Sequence, residues 1–454
     1  MPQHVPTAPR ASSAGLRARG VSVDWRVRHA PVKKVLGRGA AAFWLLSTCV
    51  AVAAPSPLAT PTRAPRGIYS VVAADEEGGL STAELNAIAE NPAVTGGLAI
   101  RVFWSTLQPA RDHYDFSRLE EAFAVAAAHH KTVQLILLPG FGTPDWLMST
   151  LPSCDPYLSG ESPGPGTATC GKATFDFSEG FFHGPRDWPL PWNAEYKKCW
   201  RTLLSEVAVR FGARREFVSI AIAGPTVASA EMIVPHKLEQ LDRWTRLLKL
   251  FYRDPSYHQS NRAIVEEWED AIESYGQIFR GVTLVLTHGS GLLRFSSGSA
   301  IEAEASIVSY FTSHSAGPNF KATQTSGMRA CRPDGEGLRS VKQVALETSG
   351  SSRILGGAQF DTSFSRAPRG EGCPSSCDNS APDCEGILPW QALSNVLSVF
   401  FAGTAVGDLH GGAKGAVPLS YLQVYARDIL FANAHPRVQA LLEQASQHLA
   451  AIAP

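Results

Sequence analysis

The sequence has no excess of either charge, since 41 Lys and Arg residues balance 41 Asp and Glu residues over 454 positions. This balance provides no long-range field that would favour nucleic acid or an anionic membrane as a partner. The sequence also lacks a Gly-rich phosphate loop after a strand pattern, a spaced Cys/His metal cluster, the G-x-S-x-G turn of serine esterases and an internal repeat. We therefore expect no nucleic-acid partner, no metal and no cofactor.

The first 66 residues differ in composition from the rest of the chain. Residues 1–38 are basic, the segment 40–54 is apolar and uncharged, and a Pro-rich stretch follows over 55–66. A basic region, a short apolar segment and small residues after it are typical of a secretory signal. Fifteen residues are few for a membrane span, which needs about 20. We predict a signal or N-terminal anchor over 1–54, a linker over 55–66 and one folded domain over 67–454, in a protein that is secreted, periplasmic or at the cell surface.

Cysteines of the folded domain are concentrated in loop-like, Gly- and Pro-rich sequence. Such clustering in an exported chain predicts disulfide bonds between loops, and Cys154–Cys170 is the pair that we expect first. Cys199 falls in a helical pattern and is expected to be unpaired. For the cluster Cys373, Cys377 and Cys384 a zinc site is the alternative, although no His is near it.

One unit recurs from residue 67 onward: a short apolar run, a break rich in Gly, Pro or Asp, and an amphipathic stretch. This alternation predicts βα units around a parallel sheet. The predicted strands cover 67–74, 97–104, 132–139, 217–224, 281–288, 319–326, 353–360 and 421–428.

The predicted helices complete a fold of eight βα units. Ser81 with Glu84 forms a capping-box pattern before the first helix, and further helical patterns cover 115–130, 192–212, 235–254 and 388–403. Eight strands, each followed by a helix, predict a (β/α)₈ barrel, with an open doubly wound sheet as the alternative. The long stretches 140–190 and 361–388 then follow strands three and seven, on the face where barrel enzymes carry their active sites.

A run of spaced residues follows the second and third predicted strands. These residues are Arg101, Trp104, Pro109, Tyr114, Phe116 and Leu119, then Pro139, Pro144, Trp146 and Leu147. In this pattern the segment 101–147 resembles the N-terminal half of clan A glycoside hydrolases, family 42 β-galactosidases in particular. The resemblance implies a (β/α)₈ barrel that cleaves a β-linked glycoside. It further implies a Glu acid/base at the end of strand four and a Glu nucleophile at the end of strand seven.

Glu231 lies just beyond the predicted fourth strand and is the candidate acid/base. Ala230 precedes it, where the family pattern has Asn. The alternative interpretation is that Glu231 only complements the positive N-terminus of the helix predicted near 236–252.

Two registers are open for the seventh strand. If 353–360 is the strand, Gln359 and Asp361 lie at its end, and Asp361 is the candidate second carboxylate. If 343–350 is the strand, Glu347 becomes the nucleophile. A Gln cannot serve as nucleophile or base, and both retaining and inverting hydrolysis need two carboxylates.

Other residues at predicted strand ends suit a sugar site. Trp104, Trp146, Trp188 and Trp192 are candidates for stacking on a pyranose ring, or for packing. Arg101 is a candidate for holding a catalytic carboxylate ionised. His288, Gln324 and Gln359 are candidates for hydrogen bonds to a substrate, and for His288 the alternative is a half-buried histidine satisfied within the protein.

Two functions from different classes follow from this pattern. The first is an exported glycoside hydrolase that cleaves a β-linked glycoside by two-carboxylate chemistry. The second is a non-catalytic carbohydrate-binding barrel that lacks the nucleophile of strand seven. Ala230 and Gln359 favour the second.

Overall fold

Eight parallel strands form a closed barrel in the computed structural model. The structure describes residues 63–73, 80–160, 164–166, 168–177, 184–227, 229–314, 321–328, 354–360, 393–394, 397 and 419–452. In chain order the strands are Gly67–Ala73 (β1), Gly97–Phe103 (β2), Thr132–Leu138 (β3), Lys172–Asp176 (β4), Pro185–Pro189 (β5), Phe217–Ala221 (β6), Glu231–Ile233 (β7), Thr283–Gly291 (β8), Lys321–Met328 (β9), Ile354–Phe360 (β10) and Leu419–Tyr425 (β11).

The pairing of the strands confirms the predicted barrel. The order β6, β3, β2, β1, β11, β10, β9, β8 is parallel throughout, and β6 pairs with β8 to close the ring. The strands read as nearly continuous apolar runs because one face packs on helices and the other fills the lumen. β7 is an extra short strand beside β8, and β4 and β5 form an antiparallel hairpin of their own.

Helices follow most of the strands, as the periodicity of the sequence predicts. Their bounds are Thr82–Glu90 (α1), Trp104–Leu107 (α2), Ser117–Ala128 (α3), Asp145–Met148 (α4), Asp155–Ser159 (α5), Ala194–Phe211 (α6), Leu241–Phe251 (α7), Arg262–Ile278 (α8), Ser299–Ser313 (α9), Ala426–Asn433 (α10) and Pro436–Ile452 (α11). The capping box of Ser81 and Glu84 is formed as predicted. No helix in the described part of the chain is long and apolar enough to cross a membrane.

Aromatic side chains bind the outer helices to the barrel. The ring of Phe123 in α3 stacks on Phe211 of α6 with centroids 4.8 Å apart, and its edge meets Phe217 of β6 at 6.0 Å. All three side chains are buried. Burial of such large apolar surfaces stabilises the contact between helices and strands.

Two predicted elements have shorter bounds in the structure. The fourth barrel strand ends at Ala221 rather than 224, and Gly224 packs so closely on Trp268 that an added Cβ would lie 2.5 Å from the indole. The helix predicted near 236–252 begins only at Leu241, after a 3₁₀ turn over Leu238–Gln240. Glu231 therefore lies ten positions before the first residue of α7, which weakens the alternative of a charge at that helix start, since the dipole acts within one turn.

The seventh barrel strand is β10, which decides between the two predicted registers. β10 covers Ile354–Phe360 and pairs with β9 on one side and β11 on the other. The register that placed the strand at 343–350, with Glu347 at its end, is therefore wrong. Glu347 and Asp361 both lie outside the described residues, as does nearly all of the helix predicted over 388–403.

The end of the predicted linker contacts the barrel. Arg63 forms a parallel bridge with Val282, and its guanidinium donates to the backbone carbonyls of Arg214 and Phe217. The hydroxyl of Thr283 donates to the carbonyl of Arg63 at 2.6 Å. These contacts join residue 63 to the N-terminal ends of β6 and β8.

The long segment after β3, predicted over 140–190 and called the excursion below, carries a disulfide bond. Cys154 and Cys170 are bonded, with Cα atoms 5.1 Å apart, as predicted, and Cys199 is a free thiol. Asp155 accepts hydrogen bonds from Thr174 of β4 and from Arg243 of α7. The excursion is thereby fixed to the helix that follows β7. The cysteine cluster at 373–384 lies outside the described residues.

Candidate active site

Five residues on neighbouring strands are paired in register, and Glu231 is one of them; we call these five the registered row. Glu231 pairs with Thr287 of β8, which pairs with Gln324 of β9. The row continues through Gly357 of β10 to Tyr421 of β11. Directly paired residues of neighbouring parallel strands project to the same face of the sheet. Glu231 therefore shares a face with Gln324 and Tyr421.

That face is the lumen of the barrel, because hydrogen bonds cross it. Nε2 of Gln423 in β11 donates to Oε1 of Gln134 in β3 at 2.6 Å. In the sheet, β11 and β3 are separated by β1 and β2. The bond can span these two strands only through the interior of the ring.

Four glutamines and one tyrosine form a connected hydrogen-bond network, which we call the amide chain. Nε2 of Gln324 donates to Oε1 of Gln359 at 3.2 Å and to Oε1 of Gln423 at 3.1 Å. Oε1 of Gln324 accepts from the hydroxyl of Tyr421 at 2.8 Å, and Gln423 continues to Gln134. All five side chains are buried.

Burial affects the ionisation of the tyrosine in this network. Desolvation raises the pKa of Tyr421 well above its usual 10, so the hydroxyl keeps its proton under ordinary conditions. Gly357 makes room for the ring: an added Cβ would lie 2.2 Å from Cζ of Tyr421. The absence of a side chain at 357 allows the hydroxyl to reach Gln324.

The loop that carries Glu231 has its own hydrogen bonds. The backbone amide of Glu231 donates to Oγ of Ser229 at 3.1 Å, and the amide of Val227 donates to the carbonyl of Ile233 at 2.9 Å. These bonds close a tight turn that returns the chain to β8. The side chain of Glu231 is half-buried.

The excursion after β3 supports this loop from the other side. Nε1 of Trp188 in β5 donates to the carbonyl of Thr226 at 2.9 Å, and the amide of Phe141 donates to the carbonyl of Val227 at 2.5 Å. Gly140 has a φ of +66°, and a Cβ there would lie 2.2 Å from the carbonyl oxygen of Val227. Trp188 is buried, so its contact is with the Glu231 loop rather than with a sugar.

The lumen side of the barrel strands carries amides rather than carboxylates. None of the eight barrel strands, within the bounds given above, contains an Asp or a Glu. Glu231 belongs to the extra strand β7 and to none of the eight barrel strands. Arg101 of β2 is half-buried and lies on the lumen face, because Ala99, two residues before it, pairs with Gln134.

Gln324 and Gln359, both predicted at the site, are brought together in the amide chain. Gln359 lies at the C-terminal end of β10, where the resemblance implies a nucleophile, and its Oε1 accepts a hydrogen bond from Gln324. Asp361 follows one residue after the end of β10. The structure thus joins Arg101, Glu231, Gln324 and Gln359 to the lumen face.

The indoles of Trp104 and Trp146 are engaged within the protein. Trp104 has no exposed surface and packs on Trp200, with ring centroids 5.1 Å apart, which favours the packing alternative over stacking on a sugar. Nε1 of Trp146 donates to the carbonyl of Gln108 at 3.0 Å, and Arg111 lies over its ring at 5.1 Å. Trp146 is half-buried, and one face of its ring is covered by that guanidinium.

His288 lies on the helix side of the sheet. Its neighbour Thr287 belongs to the lumen row, and successive strand residues point to opposite faces. Nδ1 of His288 is 2.8 Å from Oε1 of Glu304 in α9. This contact is the one expected of a satisfied, half-buried histidine, and a contact of His288 with a substrate stays a prediction.

Three members of the amide chain were not identified from the sequence. Gln134, Gln423 and Tyr421 lie in the middle of apolar runs, where a single polar residue is commonly a satisfied core position. The signal available was that four of the barrel strands, β3, β9, β10 and β11, each carry one glutamine. No group of three potential metal ligands occurs among the described residues.

Comparison with known proteins gives similarity in barrel shape only. No protein-family model matches the chain, and no curated protein matches it. Solved structures that resemble it include β-galactosidases, xylanases and a β-amylase. The cold-adapted β-galactosidase from Rahnella sp. R3 is 11% identical, with a TM-score of 0.48 over 87% of this chain and 57% of that one.

Two further structures give similar values. The β-galactosidase from the psychrophilic Marinomonas ef1 is 12% identical, with a TM-score of 0.42 over 79% of this chain and 54% of that one. A thermostable mutant of a xylanase from Cellvibrio japonicus is 12% identical, with a TM-score of 0.44 over 80% and 87%. The chain thus spans little more than half the length of these β-galactosidases. No role of a residue follows from similarity at this level, and the fold assignment rests on the strand pairing.

Proposed function

We propose that this barrel hydrolyses a β-linked glycoside, with Glu231 as the group that protonates the leaving oxygen. The observation that carries the proposal is the registered row in which Glu231 and Gln324 share the lumen face, separated by one strand. A half-buried carboxylic acid on the same face as a set of hydrogen-bonding amides is suited to bind a polyhydroxylated ligand and to donate a proton to it.

The second carboxylate of the proposal is Asp361. A strand-like continuation of β10 would place it on the face of Gln359, because side chains alternate along a strand. Arg101 would favour the ionised form of such a carboxylate through its charge. A separation of about 5–5.5 Å between the two carboxyl groups would make the enzyme retaining, and about 6.5–9.5 Å would make it inverting.

The test is turnover of a panel of aryl β-glycosides by the full chain and three variants. We expect Glu231→Gln and Asp361→Asn each to lower kcat/KM by at least about 100-fold, since general acid catalysis contributes 10²–10⁴-fold. Glu239→Gln is the matched control, because Glu239 is exposed in the turn that follows β7 and makes no predicted contribution. Equal activity of Glu231→Gln and Glu239→Gln would exclude the role of Glu231.

A second candidate function is binding of carbohydrate without hydrolysis. It is favoured by the absence of Asp and Glu from the eight barrel strands and by the amide of Gln359 at the end of the seventh. Under this alternative the wild-type chain binds methyl glycosides in calorimetry but turns over no member of the aryl panel, and Asp361→Asn leaves the affinity unchanged.

We further propose that the protein is exported. The basic and apolar pattern of residues 1–54 supports this, as does the Cys154–Cys170 disulfide, since such bonds persist in oxidising compartments. Sequencing the N-terminus of the protein recovered from its source cells tests the proposal. A cleaved N-terminus near 54–66 or a retained membrane anchor would support export, and an intact chain in the cytosol would contradict it.

A further inference from the structure

We propose that two buried indoles, those of Trp188 and Trp244, hold both ends of the loop that carries Glu231 and thereby fix the place of its carboxyl group. We call this pair of side chains the indole clamp. The catalytic use of the clamp rests on the proposed function. Trp188 and Trp244 are positioning residues, because both are buried and act on a substrate only through Glu231.

Each indole donates its one hydrogen bond to a backbone carbonyl at one end of the loop. Nε1 of Trp188 in β5 donates to the carbonyl of Thr226 at 2.9 Å, five positions before Glu231. Nε1 of Trp244 in α7 donates to the carbonyl of Pro235 at 2.6 Å, four positions after Glu231. Thr226 and Pro235 are buried, and the described residues provide no other donor to either carbonyl. Since a buried carbonyl without a partner is costly, each indole fixes its end of the loop.

The two indoles also pack on each other. Their rings meet edge to face, with centroids 5.5 Å apart. The ring of Phe175 in β4 lies against both, with its centroid 6.0 Å from that of Trp188 and 5.0 Å from that of Trp244. At most 1% of the surface of each of these three residues is exposed. Close packing on all sides holds both rings in place, so the two N–H groups keep a constant separation.

The elements that carry the two indoles are joined to each other independently of the loop. Nε2 of Gln240, next to the start of α7, donates to the carbonyl of Asp176 at the end of β4. Asp155 accepts hydrogen bonds from Thr174 of β4 and forms an ion pair with Arg243 of α7. The β4–β5 hairpin and α7 therefore form one support, and the loop is held to both parts of it.

Hydrogen bonds within the loop connect the clamped ends to Glu231. The amide of Val227 donates to the carbonyl of Ile233 at 2.9 Å, and the amide of Val234 donates to the carbonyl of Gly291 in β8 at 3.0 Å. Each of these amides belongs to a residue next to a clamped carbonyl. A general acid has to lie within hydrogen-bond reach of the leaving oxygen, and a displacement of about 1 Å can lower the rate about 100-fold. The clamp therefore supplies the precision that Glu231 needs.

Hydrogen exchange of the loop tests the clamp without reference to activity. Trp188→Phe keeps an aromatic ring but removes the donor to the loop, and it should speed amide exchange of the segment 226–235 about tenfold. Trp244→Phe should have the same effect from the other end. Tyr69→Phe is the matched control, because it also removes one buried hydrogen bond, in which the hydroxyl is 2.7 Å from Oγ1 of Thr132. It should leave exchange of that segment within about twofold of wild type.

An isosteric replacement separates the hydrogen bond from the volume of the ring. In 3-benzothienylalanine a sulfur atom replaces the indole N–H in a ring system of nearly the same shape. Its incorporation at position 188 removes the donor while the packing on Phe175 and Trp244 is kept. It should speed exchange of the segment 226–235 as Trp188→Phe does, and it provides the same measurement if Trp188→Phe does not fold. Exchange within about twofold of wild type in this variant would overturn the clamp.

The dependence on the leaving group tests the effect on Glu231. A dinitrophenyl β-glycoside loses its leaving group without protonation, whereas a phenyl β-glycoside needs a proton on the leaving oxygen. In Trp188→Phe, kcat should fall at least about tenfold for the phenyl glycoside and stay within about twofold for the dinitrophenyl glycoside, with little change in either KM. In a Glu231→Gln background the same replacement should cause no further loss, because no acid remains to be positioned. Tyr69→Phe should change kcat for both substrates by the same factor.

The outcomes separate the clamp from the proposed function. Faster exchange in both indole variants of a chain that hydrolyses neither glycoside would overturn the hydrolase and keep the hold of the clamp on the loop. A selective loss in Glu231→Gln, together with equal losses for the two substrates in Trp188→Phe, would keep the hydrolase and overturn the positioning role. Unchanged exchange in the indole variants would overturn the clamp whatever the activity.

Discussion

Replacement of Gly357 by Ala should disrupt the lumen of the barrel. A Cβ at this position would lie 2.2 Å from Cζ of Tyr421, 2.4 Å from its hydroxyl oxygen and 2.6 Å from Cε2. Real Cβ atoms do not approach other atoms so closely, so the ring has to move. The ring has no exposed surface, and its hydroxyl is bound to Gln324 at 2.8 Å, so the movement breaks that hydrogen bond.

Two effects determine the size of the loss in stability. An extra methyl group in a filled interior costs about 1–3 kcal/mol. A buried hydroxyl and amide oxygen left without partners cost about 1–3 kcal/mol more. Backbone strain does not contribute, because φ of Gly357 lies outside the left-handed region. We therefore expect Gly357→Ala to lower the free energy of unfolding by about 3 kcal/mol.

Urea denaturation followed by tryptophan fluorescence measures this loss. Gly276→Ala is the matched control: Gly276 is in α8, and an added Cβ would meet only Cδ1 of Leu284, at 3.9 Å. That change should leave stability unchanged or raise it by up to about 1 kcal/mol, because Ala favours the helix. A loss below about 1 kcal/mol for Gly357→Ala would refute the packing of Tyr421 over Gly357.

Two further predictions concern the excursion after β3. Replacing Cys154 and Cys170 together by Ala should lower the free energy of unfolding by about 3 kcal/mol, since the bond closes a 16-residue separation. Cys199→Ala, at the free thiol, is the control and should change this free energy little. Equal effects of the two replacements in urea denaturation would contradict this prediction. At Asp155, partial burial opposes ionisation, but the hydrogen bonds from the β4–β5 hairpin and the charge of Arg243 prevail and lower the pKa below its usual 3.8. A carboxyl whose pKa is lower in the folded state stabilises the fold at pH values above its pKa in the unfolded chain. This contribution disappears as the pH falls through the folded-state pKa. Asp155→Asn should therefore be less stable than wild type at pH 7, and the difference in free energy of unfolding should shrink below about pH 4. A stability gap that is constant from pH 7 to pH 3 would contradict the assignment.

The fold was largely predictable from the sequence because its signals are local and repeated. Most barrel strands are apolar runs, and the long helices carry their own periodicity, so eight units could be counted directly. The ends of elements were less predictable. Gly224 looked like the end of a strand in sequence, whereas its contact with Trp268 and the early end of β6 at Ala221 are tertiary properties.

The site was predictable only where a strand end could be located. Glu231, Gln324 and Gln359 were identified from their places near strand ends, and the structure joins them to one face. The face on which His288 lies could not be read from the sequence, because a shift of one residue moves a side chain to the opposite face of a sheet. Gln134 and Gln423 were missed because a long-range hydrogen bond across the lumen leaves no trace in either strand alone.

The most direct test of the account is the dependence of the Glu231→Gln variant on the leaving group. An aryl β-glycoside with a strongly activated leaving group, such as 2,4-dinitrophenol, departs without protonation, whereas a methyl or phenyl glycoside needs a proton on the leaving oxygen. If Glu231 is the general acid, kcat/KM of the variant should fall about 10²–10⁴-fold for the phenyl glycoside and much less for the dinitrophenyl glycoside. Equal losses for the two substrates, or no turnover of either by the wild-type chain, would contradict the account.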